Sequence, residues 1–347
     1  MSGLGRRAFA VVLSVASASL LPASASADPT VWSRAKDPRI VRDEALVREA
    51  QRAVLRYRRM ARSMGPSGAS IAEMMLRDAR RALAQVVAGG AADFGVRMLY
   101  VEVLRDSKQS DDALEVVKRL LKDDPPAPVR ADALAELALL HAHAGRREEE
   151  IRAYTDALEI EPHAYARSRL LANRAEALMA VGDLTSAVEG YRAALAPLTT
   201  AEMFWAGSTT LFGLGVALDR LGNPEEALHS VKLARSYDPI DRGLRKDSWF
   251  FSPAHDAHWY SALGAWSCAR FSEAWSARAE CYERALRGWD EYILNAPPDD
   301  RWVPLARVRI AAVTKERDEL RRAFEARRKI DARQRKTPGD EPAGTIR

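Results

Sequence analysis

Along most of the chain, apolar residues return every third or fourth position, the period of a helix with one buried face. Three stretches share one phrase: LAELALLHAHAG before AYTDALEIEP, LLANRAEALMAVGD before YRAALAP, and LFGLGVALDRLGNPEEAL before ARSYDP. Each reads as two amphipathic helices around a tight turn, and such units in tandem predict a solenoid of hairpins. Strand-like alternation is nearly absent, so no sheet is expected.

The repeated positions have separate physical jobs. Leu134, Leu171 and Leu211 open the first helices, and Leu137 and Leu214 follow one turn later. Ala138, Ala175 and Gly215 are small enough for a second helix to approach closely. Gly145, Gly182 and Gly222 stand where a helix ends in the left-handed conformation that glycine adopts most cheaply. From the second helices, Tyr154, Tyr191 and Val231 fill the seam, with Ala157, Ala194 and Ala234 one turn on. Pro162 and Pro239 stop those helices, because proline lacks the amide and clashes with the preceding turn.

In these residues the chain resembles the tetratricopeptide repeat family over roughly residues 94–239. The resemblance implies an all-α fold, a tetratricopeptide-like helical-hairpin solenoid with capping helices. A weaker copy precedes the three, with Tyr100, Val101, Leu104, Ala113, Val117, Leu120 and Pro125 at equivalent places. Glu150 replaces the family's small alanine, Arg174 its leucine and Thr199 its proline. The turn glycines lie 37 and then 40 residues apart, against a family period of about 34, so longer loops are expected.

The flanks divide the chain further. Residues 1–27 read as a signal peptide: Arg6 and Arg7, an apolar stretch from Ala8 to Leu21, then Ala25, Ser26 and Ala27 before a cut between Ala27 and Asp28. Arg6, Arg7 and Phe9 also match part of the twin-arginine signal, so the export route stays open. The apolar stretch is too short to span a bilayer, and a periplasmic or secreted chain is expected. Residues 28–92 form an N-terminal helical cap, 93–240 the repeats, 241–302 a degenerate C-terminal repeat with an aromatic loop, 303–336 a basic helix and 337–347 a flexible tail. In the degenerate repeat Ala285, Trp289, Tyr292 and Pro297 arrive late, which implies a longer first helix or an insertion around Phe271 to Arg278.

Charge changes the picture at the ends. The formal net charge is +5 over 347 residues, but residues 303–336 carry twelve Lys and Arg against five acids, and residues 34–63 ten against four. The body is therefore acidic. Export argues against nucleic acid as the target of the basic helix, leaving an anionic envelope surface or an acidic partner as the candidate contact, or else a simply solvated helix. Cys268 and Cys281 are the only cysteines, and they fit either a bridge across the last hairpin or two buried thiols.

Three constellations are candidates for function. The resembled family binds peptides or partner helices on the inner faces of its first helices. Carried over by helical spacing, that groove holds Met98, Glu102, Arg105, Leu139, His143, Arg169, Glu176, Met179, Phe212, Val216 and Asp219, together with Ala135 and Ala172. The aromatic residues Trp249, Phe250 and Trp259 offer a second surface for a glycan or partner, or else plug the end of the solenoid. His255, Asp256 and His258 lack a third ligand or a base nearby, and no cofactor or metal is expected. Neither a glycine-rich phosphate loop nor a Ser, His and Asp set stands out. The reading is a non-enzymatic protein-binding scaffold of the cell envelope; the alternative is an envelope glycan-binding or catalytic accessory using the aromatic region.

Overall fold

Each apolar run forms a helix, and successive helices pair as hairpins. The computed structural model describes residues 37–61, 69–90, 92–245 and 251–336. The chain divides into two units, Met1–Ala45 and Leu46–Arg347. In the first, the described residues are the opening turns of α1 (Pro38–Ala61), where the Asp37 carboxylate accepts the Arg39 amide at 2.8 Å. The signal-peptide residues 1–27 and the tail 337–347 lie outside the described residues.

In the second unit, α2 (Ala69–Ala88) precedes five hairpins. These are α3 (Phe94–Asp106) with α4 (Ser110–Lys122), α5 (Ala127–His143) with α6 (Arg147–Ile160), α7 (Ala164–Val181) with α8 (Leu184–Leu195), α9 (Ser208–Arg220) with α10 (Pro224–Tyr237), and α11 (Asp256–Phe271) with α12 (Trp275–Asn295). Each second helix also packs on the first helix of the next hairpin, and α13 (Val303–Lys336) lies along α12. No strand occurs among the described residues.

The turns repeat one hydrogen-bonding device. The amides of Arg146, Asp183 and Asn223 reach back to the carbonyls of His141, Leu178 and Leu218, each at 2.9 Å. Between each pair sits the turn glycine, at φ 70°, 91° and 95° for Gly145, Gly182 and Gly222. This closure satisfies a helix-end carbonyl and requires a left-handed residue. The α3–α4 turn uses the same closure, Gln109 amide to Leu104 carbonyl, but places Lys108 at φ 60°. A lysine there is strained by its Cβ. Lys108→Gly should therefore raise unfolding free energy by about 0.5–1 kcal/mol, read as a higher denaturant midpoint at unchanged slope. No change, or a loss, would refute the strain.

Small residues mark the crossings. A Cβ on Gly215 would lie 2.8 Å from Val231 Cγ2 and 3.1 Å from the Ala227 carbonyl oxygen, and a Cβ on Gly190 would lie 3.0 Å from that of Ala175. Ala138 and Ala175 are fully buried. At Thr199 the missing proline has a local reason. Thr199 and Glu202 form a reciprocal capping box that opens the helical turn Thr200–Glu202, followed by a π-turn over Met203–Gly207. These residues account for the long spacing between Gly182 and Gly222.

The C-terminal hairpin corrects one expectation. There is no insertion at Phe271 to Arg278: α11 ends at Phe271, the turn is residues 272–274, and the extra length belongs to α12, which runs 21 residues. The tight turn brings Cys268 and Cys281 together as a disulfide. Behind it lies an aromatic core in which Trp289 meets Trp259 and Trp266 edge to face, at 6.4 and 5.6 Å between centroids. Glu316 pins α13 to this hairpin by accepting from the Trp266 indole (2.9 Å), the Arg270 guanidinium (2.7 Å) and the Tyr282 hydroxyl (3.2 Å).

Candidate functional site on the first-helix wall

The transferred groove residues divide into two groups. Met98, Glu102, Arg105, Leu139, His143, Arg169 and Glu176, on α3, α5 and α7, keep solvent access. Met179, Phe212, Val216 and Asp219 do not: they are 1%, 3%, 0% and 0% exposed, and they belong to the core rather than to an open groove. Met179, near the end of α7, joins the core cluster that α9 and α11 build, and for the other three the physical reason is enclosure of α9. Phe212 stacks on Tyr260 of α11 at 6.3 Å, and Asp219 is bound by Trp259 of α11 and Arg309 of α13. Spacing within the repeats identifies an inward face, but cannot register that later helices return to cover it.

The covered end is an ionic knot. Asp219 accepts the Trp259 indole at 3.0 Å and lies 2.8 Å from Arg309 Nε, while Arg309 Nη2 donates to the Asp219 carbonyl at 2.9 Å. Beside it, Arg220 donates twice to Asp256, at 2.6 and 3.1 Å. Its guanidinium lies between the rings of Trp259 and Trp302, 4.9 and 5.0 Å from their centroids. A cavity of about 320 Å³ opens here, lined among others by Arg220, Pro253, His255, Asp256, Asp300 and Trp302. Arg301 reaches the Val181 carbonyl at 2.7 Å and ties this end to α7.

The open part of the wall is lined with carboxyl groups. On it Arg58 pairs with Glu102 and Arg105 with Glu136; behind it, on α6, Arg147 pairs with the buried Glu150 and the Ser252 hydroxyl. Burial raises the pKa of Asp132, with Glu161 and Glu102 adding repulsion; it also raises those of Glu136 and Glu150 against their arginines. Glu176 is the extreme. Burial pushes it up to about 8, helped by the negative charges of Glu150 and Asp256 and opposed by Arg147 and Arg220. No ion pair engages it among the described residues, and it keeps partial exposure on the wall. Burial lowers the pKa of His143, with Arg105 reinforcing the effect.

The remaining candidates separate. Trp249 and Phe250 lie outside the described residues. Trp259 is fully buried and is therefore core, not an aromatic surface. His255 meets Asp300 at 3.1 Å and His258 meets Glu291 at 3.0 Å, so the two histidines turn to different carboxylates. Two features had only faint sequence signals. Glu150 was visible as a departure from the repeat, though not its pairing with Arg147. Phe204 and Trp205, exposed at 52% and 69%, sit in the π-turn where no repeat position exists.

The described architecture is that of an all-α, tetratricopeptide-like helical-repeat protein. No protein-family model matches the chain, and no curated protein does. Among solved structures it is similar to a crystal structure of MamA, at 16% identity and TM-score 0.42, over 52% of this chain and 97% of that one. The C-terminal part of a TPR repeat-containing protein from Cytophaga hutchinsonii is 12% identical at TM-score 0.43, over 67% and 94%. A tetratricopeptide repeat protein from Parabacteroides merdae is 13% identical at TM-score 0.43, over 77% and 99%. Likenesses at this level carry no functional argument.

Proposed function

We propose that the chain is a non-enzymatic interaction scaffold whose open first-helix wall, α3 to α7, holds a basic segment or helix of a partner protein. The observation that carries this reading is Glu176, a half-buried carboxyl on the wall that forms no ion pair among the described residues and whose pKa is raised to about 8 despite Arg147 and Arg220. A lysine or arginine from a partner would supply the missing charge and replace lost hydration with a charge-assisted hydrogen bond. The carboxyls of Asp132 and Glu136 extend the acidic character along the wall, and the buried Glu150 lies behind it on α6.

The sign of the pH dependence follows. Below about pH 8 Glu176 holds a proton that a cationic ligand must displace, so affinity for a basic segment should rise as pH climbs from 6.5 to 9. The charged groups facing it are Glu150 and Arg147 of α6, Asp256 of α11 and Arg220 of α9; Tyr154, Tyr191 and Tyr260 complete the surroundings and stay neutral, their pKa values raised by burial. A fluorescent lysine-rich helical probe peptide, read by anisotropy, tests this. Glu176→Gln should flatten the pH profile, and Glu176→Lys should weaken binding by about tenfold or more. If a glutamate-rich probe binds equally well, or Glu176→Lys leaves affinity unchanged, the reading is wrong.

The location belongs to the same proposal: residues 1–27 direct export, cleavage follows Ala27, and the mature chain works in the periplasm or outside the cell. The Cys268–Cys281 bond supports an oxidising compartment. The glycan-binding alternative loses Trp259, which is fully buried in the core.

A further inference from the structure

On α10, away from the acidic wall, the surface has the opposite character. A cavity of about 540 Å³ lies between α10, the 3₁₀ turn Gly243–Arg245 and the α11–α12 hairpin, lined among others by Lys232, Arg235, Ile240, Arg245, Phe271 and Arg284. Asp241 is its one lining carboxylate among the described residues, and Arg235 already holds it at 2.7 and 3.1 Å. The other three cations have no carboxylate within salt-bridge distance among the described residues. Lys232 sits 4.4 Å over the Phe271 ring, and Arg284 donates to Cys281 Sγ at 2.9 Å.

An apolar ledge adjoins this cationic cavity. Ile240 lines the cavity and is 54% exposed. Leu233, also exposed, follows Lys232 on the outer arc of α10, and Tyr237 lies one turn further on. Phe204 packs edge-on against Tyr237 at 5.2 Å between centroids, and the next residue, Trp205, is 69% exposed. Exposed Phe and Trp beside unpaired Lys and Arg combine the two attractions that hold a protein at a bilayer surface: apolar insertion at the headgroup boundary and Coulomb attraction to anionic lipid.

We propose that this face docks on an anionic lipid bilayer, with a lipid phosphate entering the cavity formed by Lys232, Arg245 and Arg284 while Phe204, Trp205 and Ile240 reach the acyl boundary. The cavity is wider than one phosphate needs, which suits a headgroup still attached to its lipid. An acidic peptide would match the cations, but gives no separate role to a tryptophan standing clear of the protein. The proposal is independent of the acidic wall and leaves that wall free for its own ligand.

Flotation of the whole chain with lipid vesicles tests it. The chain should float with mixed phosphatidylcholine and phosphatidylglycerol vesicles, stay behind with pure phosphatidylcholine, and detach as salt rises. Lys232→Glu with Arg245→Glu should cut the bound fraction at least tenfold. Trp205→Ser, at a side chain too exposed to matter for folding, should weaken binding while leaving the melting temperature unchanged. The proposal is overturned by equal flotation with neutral vesicles, or by full binding of the double variant. Loss of binding only when Arg321, Arg327 and Arg328 of α13 are changed to Gln would overturn it too, as would retention of a glutamate-rich peptide or inorganic phosphate without any vesicle binding.

Discussion

Asp219→Ala will lower the unfolding free energy by about 3–5 kcal/mol, the cost of leaving a buried ion without its partner. The side chain is fully buried, and three groups depend on it: the Trp259 indole N–H, the Arg309 guanidinium and, through them, the fit of α11 and α13 against α9. Without the carboxylate, Arg309 retains only the Asp219 carbonyl as its acceptor in this knot, at 7% exposure. Urea unfolding followed by tryptophan fluorescence measures the loss. Changing Arg309 to Met in the same chain should recover part of it, because the stranded cation is then gone. A single variant that loses under 1 kcal/mol, or a pair whose losses simply add, would show that the knot is not a unit. Burial raises the pKa of Asp219 against the pull of Arg309 and Trp259, so the charge is held at a cost and persists only while all three groups meet.

Removing the disulfide should cost about 3 kcal/mol, from the chain-entropy relation applied to a sequence separation of 13. Cys268→Ser with Cys281→Ser tests this without leaving a lone thiol. The loss should appear as a lower denaturant midpoint, and reductant should reproduce it in the native chain while leaving the double variant unchanged. The bond closes the turn of the hairpin that carries Trp259, Trp266 and Trp289, whose core is continuous with α7 and α8, so its loss should loosen that cluster before α3 to α6 respond. Free thiols in the folded, exported protein would contradict the pairing.

How much of this was legible in the sequence depends on whether a residue's role is local. Gly145, Gly182 and Gly222 were readable because a left-handed turn selects glycine whatever surrounds it, and their φ values agree. Lys108 performs the same turn but gives no such signal. Ala175 and Gly215 were readable as crossings because close approach needs small side chains in the repeat itself. Asp219 was not, since a carboxylate on an inward face reads as a ligand contact until Arg309, 90 residues later, is seen beside it. Phe212 and Val216 failed because later helices cover α9, and Met179 because the end of α7 joins the same core cluster. Of the candidate wall, the predicted residues of α3 and α5, and those of α7 other than Met179, keep solvent access, and the raised pKa of Glu176 emerged only when burial, Glu150 and Asp256 were placed around it.

The enclosure of α9 gives the array a direction of growth. Between α3 and α8, neighbours meet through repeated apolar positions with small residues at the crossings, so a duplicated hairpin inserted there would find a partner on either side. Downstream of α9 the joints are unique, built from Trp259, Arg220, Asp256 and Arg309, and an added copy would have nothing to bind. Lineages that lengthen this protein should therefore do so from the amino-terminal side, keeping one fixed base on which every longer stack is raised.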